Sequence, residues 1–127
     1  MMAIVGELWR GISDVMMSWY ETKMFIEHAT VVSSDALHVL VGVLVWTLAA
    51  LVLRRSLSAS IPWLIVLALT LLNEGVDLWV ERWPHLAMQL GESAKDVLLT
   101  MTLPTVLLLA IRLRPSLFRP LPSRRGR

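Results

Sequence analysis

The sequence predicts an all-α integral membrane protein, with an N-terminal amphipathic interfacial helix followed by a three-helix transmembrane bundle. Three observations point there. The 127-residue chain is 56% hydrophobic and 17% charged, with a mean hydropathy of +0.64. That is more apolar surface than one soluble domain of this length can bury. The apolar residues are also gathered into runs approaching the ~20 helical residues that cross a hydrocarbon core. Ahead of these runs, residues 1–28 carry charges at helical spacing instead.

In that first segment Glu7, Arg10, Asp14, Ser18 and Glu21 recur every three or four residues, and Ile4, Leu8, Trp9, Ile12, Val15, Met16 and Trp19 fill the opposite face. This is a 3.6-residue period with too many charges for a span, so it reads as a helix lying in the membrane interface or covering the bundle. A heptad seam with a partner helix is the competing reading. The start MMAIVGELWR lacks the basic n-region and h-region of a cleavable signal.

Residues 29–113 read as the transmembrane domain. The first span, 31–53, is stopped by Arg54 and Arg55, and an SLSAS linker leads to Pro62, well placed to open a helix. The second span, 61–80, has Trp63 at one end and Trp79 and Trp83 at the other, as in an aromatic belt. Pro84 and Gly91 mark 83–92 as a loop, with Ser93 and Asp96 as a capping-box-like start for the third span, 97–113, which holds Pro104. Residues 114–127 read as a basic cytoplasmic tail, rich in Arg and Pro and disordered.

Eight basic residues (Arg54, Arg55, Arg112, Arg114, Arg119, Arg124, Arg125 and Arg127) fall on one side of a three-span chain, against Arg10, Lys23, Arg82 and Lys95 on the other. The positive-inside rule then places the C-terminus in the cytoplasm and the N-terminus outside, as in a bacterial inner membrane. All ten acidic residues lie on the outer side or in the outer half of a span.

These acids form a pattern. Thr70, Glu74, Asp77 and Glu81 share a stripe of the second span with Asn73 beside it, Asp35, His38 and Gly42 share one on the first, and Ser93, Asp96 and Thr100 share one on the third. His38 and Glu74 fall roughly 10 Å below the outer surface at 1.5 Å per residue. A carboxylate facing lipid costs about 2.5–3.5 kcal/mol, so the polar edges are expected to face one another. Gly42 and Gly75 are expected to let backbones approach.

The predicted site is an outward-facing pocket of Asp35, His38, Asn73, Glu74, Asp77 and Asp96 that binds a lipid headgroup, a cation or a proton. His38, Glu74 and Asp77 are the candidate metal ligands; an oxygen-rich set suits Mg, Ca or Mn, and the His admits Zn. The competing reading is structural, with the same groups fixing helix register, Asp35 and Asp96 acting as helix caps, and Glu81 and Arg82 as ordinary interfacial charges.

The order of these features resembles the VanZ-like family of small membrane proteins, over residues 31–113. His38 and Glu74 match the family's His and Glu, and Arg82 and Asp96 its Arg and Asp. Ser34 and Asp35 stand where an Asp-Lys pair is usual, Asp77 replaces a Gln, and Thr100 and Leu103 replace an Asn and a Gly. The resemblance implies a role near the cell envelope, in lipid or glycopeptide chemistry, and assigns no catalytic residue.

Other classes recede. With no cysteine, disulfide and thiolate metal sites are excluded. The basic residues sit beside spans and in the tail, so nothing resembles a nucleic-acid module. An envelope enzyme acting on lipid-linked substrates ranks last among the readings, because no nucleophile–base spacing stands out and no serine occupies a GxSxG frame; no cofactor is identified. Membrane lipids are the expected partners. Three helices bury little area, which leaves room for a homo-oligomer or a partner membrane protein. The alternative function is therefore a non-catalytic accessory subunit, docking through the N-terminal helix and Trp-rich faces.

Overall fold

The computed structural model describes residues 2–118. These are helical nearly throughout: α1 (Met2–Ala29), α2 (Ser34–Val52), α3 (Ser60–Val80) and α4 (Leu86–Leu113), followed by a short 3-10 turn at Pro115–Phe118. The helices α2, α3 and α4 are each long and apolar enough to cross a membrane. The expected tail beyond Phe118 lies outside the described residues.

Three-helix packing follows from where the small and polar residues fall. α4 is the central partner, packing most extensively on α2 and then on α3, with a smaller α2–α3 contact. On α3 the buried residues Pro62, Val66, Thr70, Glu74 and Asp77 form one stripe at spacings of four and three. Gly42, Trp46 and Ala50 do the same on α2. The bundle interior is therefore graded along its axis. One end is an apolar cluster of Trp46, Val66, Met101 and Leu108, with Trp63, Leu67 and Ile111 packed around it. The other end buries Thr70, Glu74, Asp77, Gln89 and Thr100. Outward positions such as Leu40, Leu44, Leu51, Leu64, Leu71 and Leu98 are exposed. An apolar exterior around a partly polar interior is the arrangement a hydrocarbon solvent favours.

The backbones of α2 and α4 approach closely at Gly42, where a Cβ would overlap the carbonyl oxygen of Thr100. Gly75 behaves differently from expectation: it is exposed and a Cβ there would meet nothing within 4 Å. The i, i+4 stripe of α3 runs through Glu74, which turns Gly75 away from the bundle.

The apolar end is closed by short-range chemistry. α2 terminates in a Schellman arrangement, with Arg55 N–H bonding Ala50 O at 2.8 Å and Arg54 N–H bonding Leu51 O at 3.1 Å. Arg54 takes the left-handed conformation there, at φ 51°. Arg112 ties the α2–α3 linker to α4, donating to Ser58 O at 2.9 Å and to Ser60 Oγ at 2.8 Å.

Two boundaries differ from expectation. The helix of the third span begins at Leu86, not at 97, so Gly91, Ser93 and Asp96 are helix-interior and the expected 83–92 loop shrinks to the few residues between Val80 and Leu86. Its 28 residues extend about 42 Å at 1.5 Å per residue, longer than a ~30 Å hydrocarbon core. The polar first turns can thus project beyond the lipid, where Glu92 and Lys95 carry no penalty. The turn is tied by Gln89, whose amide donates to Glu81 O at 2.6 Å. At α2 the cap is Ser33, whose Oγ accepts from Ala36 N–H at 3.3 Å, while Asp35 sits in the first turn.

α1 makes its main contact with α3. Trp9 meets Trp79 edge-to-face with ring centroids 5.2 Å apart, and the later turns reach Asn73, Asp77 and Glu81 through side chains. Ile4, Val5, Leu8, Ile12 and Val15 on α1 remain exposed.

Candidate functional site

The polar end of the bundle is built from four helices. α3 supplies Glu74 and Asp77, 5% and 7% exposed. Thr70 beneath them spends its hydroxyl on Val66 O at 2.8 Å. α4 supplies Asp96 and Thr100, α2 supplies His38, and α1 lays Lys23 across the top. Lys23 is ion-paired with Asp77 Oδ2. Asn73 donates to Glu74 Oε1 and to Asp77 Oδ2, both at 3.2 Å, and accepts from Trp19 Nε1 at 3.0 Å. The other Asp77 oxygen, Oδ1, is buried with no hydrogen-bond partner among the described residues.

His38 is held from both sides. Thr100 Oγ lies 3.1 Å from Nδ1, and Asp96 Oδ2 lies 3.4 Å from Nε2. Because the Thr100 hydroxyl donates to Asp96 O at 2.8 Å, its oxygen acts as acceptor toward the ring. The hydrogen-bond network thus assigns the Nδ1 proton to that bond and leaves Nε2 facing the Asp96 carboxylate. One nitrogen or oxygen atom from each of His38, Glu74 and Asp96 falls within a mutual 4.8 Å.

Two cavities meet here. A polar one of about 270 Å³ is walled by Glu74, Asp77, Glu81, Glu92, Ser93 and Asp96, among others. An apolar slot of about 420 Å³ runs between α1, α2 and α3 along Ile26, Leu37, Val41, Val45, Leu69 and Val76. Lys23, Glu27, Ser34 and His38 line both. The slot alone is within the roughly 300–1,000 Å³ typical of small-molecule pockets.

Of the expected site residues, His38, Glu74, Asp77 and Asp96 converge on the polar cavity, and Asn73 joins from the slot side. Asp35 does not. Its side chain is 56% exposed and pairs with Lys95 at 3.0 Å on the rim, since the first turn of α2 lies beyond the packed interior. The expected metal trio also changes: Asp77 is held by Lys23, and Asp96 takes its place beside His38 and Glu74. Asp96 is inside α4 and cannot serve as its cap.

Sequence reasoning missed three groups. Lys23 lies off both faces of the amphipathic pattern, although Trp19, Tyr20, Lys23 and Glu27 form a stripe at helical spacing that marks it. Glu81, expected to be an ordinary interfacial charge, accepts from Tyr20 OH at 3.0 Å and Trp83 Nε1 at 2.8 Å and walls the cavity. Partial burial, and then the bond to Glu81, raise the Tyr20 phenol above its ordinary value and keep it a donor. Gln89 is buried at the α3–α4 turn.

Compared with known proteins, the chain matches no family model, no curated protein and no solved structure. The class rests on the fold: an all-helical chain whose three long apolar helices suggest a membrane protein.

Proposed function

We propose that this protein holds one membrane amphiphile, its headgroup in the polar cavity and its chain in the apolar slot. The observation that carries the reading is the shared wall of Lys23, Glu27, Ser34 and His38 between the two cavities. Such a junction of apolar and polar space matches a lipid better than a wholly polar metabolite. The orientation proposed for the bundle follows the distribution of charge. Arg54, Arg55, Arg112 and Arg114 mark the cytoplasmic end, which turns the cavity outward. The same order of His, Glu, Arg and Asp supports a VanZ-like, envelope-associated role, and α1 then lies in the interface with its exposed apolar residues in lipid.

Native mass spectrometry of the gently purified protein tests the reading. The wild type is expected to carry one lipid per chain. Val41→Trp, which fills the slot, is expected to lose it while the bundle stays folded. A wild type without lipid, or a variant that retains it in full, refutes the proposal.

A second reading is favoured by one observation. Ile4, Val5, Leu8, Ile12 and Val15 stay exposed along the first turns of α1, a surface that suits docking of an accessory subunit to a larger membrane assembly. A stoichiometric protein partner in the same spectra identifies that case.

A further inference from the structure

Of the carboxylates lining the polar cavity, Glu27, Glu74, Glu81 and Asp96 have no Lys or Arg partner among the described residues, and Glu74 is the most deeply buried of them. Asp77 has Lys23. Asp35 and Glu92 share Lys95 at the rim. Glu81 has two neutral donors, Tyr20 and Trp83. Glu74 and Asp96 have no Lys or Arg partner among the described residues. Glu74 is nonetheless 5% exposed, with the Asn73 amide on Oε1. Leaving a carboxylate this deep without a positive neighbour is costly.

The neighbour that is present, His38, faces Asp96 with Nε2, and one ring nitrogen lies within 4.8 Å of a Glu74 oxygen. With the Nδ1 proton committed to Thr100 Oγ, a neutral ring turns a lone pair toward Asp96 Oδ2, 3.4 Å away. Three electron-rich groups then point at one volume. Their atoms lie within 4.8 Å of one another. Bonds of roughly 2.1 Å to a common ion need ligand separations of about 3–4 Å, so small side-chain rotations close the set. The Thr100 hydroxyl supplies the outer hydrogen bond that ligating histidines typically have on their other nitrogen. A separate unsatisfied group lies beside the trio. Asp77 Oδ1, on a residue 7% exposed that lines the same cavity, has no hydrogen-bond partner among the described residues.

We propose that His38, Glu74 and Asp96 bind one divalent transition-metal ion at the floor of the polar cavity. One imidazole nitrogen with two carboxylates suits Mn²⁺ or Zn²⁺ better than Mg²⁺ or Ca²⁺, which prefer all-oxygen shells. Three protein ligands leave coordination positions open toward the cavity. The second acidic trio, Asp35, Glu92 and Asp96, is the weaker candidate, because the Lys95 ammonium already lies against Asp35 and Glu92. The metal site stands independently of the amphiphile, and the two are measured separately.

Mn²⁺ titration followed by electron paramagnetic resonance tests it, on the full chain stripped with EDTA and held in detergent without added lipid. One Mn²⁺ per chain is expected to bind, with a nitrogen coupling from the His38 ring. Thr100→Val is expected to weaken binding by about 10–100-fold through loss of the outer hydrogen bond. His38→Ala and Glu74→Gln are expected to weaken it further, and Asp35→Asn to leave it unchanged. Circular dichroism of each variant checks that the helices persist. No stoichiometric binding to folded wild type overturns the proposal, and leaves His38 as a simple ion-pair partner of Asp96. So does binding that survives Glu74→Gln but is lost in Asp35→Asn, which would put the ion at the rim.

Discussion

Lys23→Met isolates the link between α1 and the bundle. Among the described residues Lys23 is the one cation paired with Asp77, whose side chain is 10% exposed against 26% for the lysine. Removing one partner of a fully buried pair costs about 3–5 kcal/mol. Water reaches the ammonium here, so about 2–3 kcal/mol is the expected loss, which shifts the docking equilibrium of α1 about 30- to 150-fold at 1.4 kcal/mol per decade. The remaining polar ties, Trp19 to Asn73 and Tyr20 to Glu81, are each 3.0 Å hydrogen bonds worth about 0.5–1.5 kcal/mol. Both are present before and after the substitution, so they do not offset the loss. Hydrogen exchange should therefore quicken along α1 in Lys23→Met while α2 to α4 stay protected. Adding Asp77→Leu should restore part of the protection, because the unpaired carboxylate is then gone. Lys95→Met, at an exposed rim, should cost no more than about 1 kcal/mol. Equal effects of Lys23→Met and Lys95→Met, or no rescue by Asp77→Leu, would refute the reasoning.

Other expectations concern backbone and topology. Gly42→Ala should lower thermal stability in detergent by about 1–3 kcal/mol, because its methyl group meets the Thr100 backbone. Gly75→Ala, with open space around it, should raise stability by about 0.5–1 kcal/mol through helix propensity. Arg54→Gly should also stabilise, by about 1 kcal/mol, since glycine takes the left-handed cap conformation of φ 51° without strain. The chain has no cysteine, so a single His85→Cys reports topology. It should label with an impermeant reagent from outside intact cells, and labelling only from the cytoplasm would remove the outward cavity.

Much of the bundle was legible because the bilayer imposes strong rules. Long apolar runs mark the helices, and the spacing of Thr70, Glu74 and Asp77 puts them on one stripe that the fold buries. The same rule applied to Gly75 without its stripe misled. Gly91 misled as well, because a lone glycine costs a helix only about 1 kcal/mol relative to alanine, too little to break a helix as long as α4. The α4 start was hidden for a related reason: its first turns are polar, and hydropathy alone cannot separate a projecting helix from a loop. Lys23 was the larger omission. A two-face reading of an amphipathic helix sorts residues into water and core, and has no category for a cation that reaches a carboxylate on another helix. The exchange of Asp77 for Asp96 beside His38 depends on which carboxylate Lys23 takes. That is a tertiary fact, fixed by how α1 lies on α3.

The most direct test of the account is a density map from crystals grown in a lipidic mesophase. Continuous density should run from the polar cavity beside Lys23 and His38 into the slot between Val41 and Leu69, as one headgroup joined to one chain. A slot closed by its own side chains, with α1 still docked through Lys23 and Asp77, would contradict it.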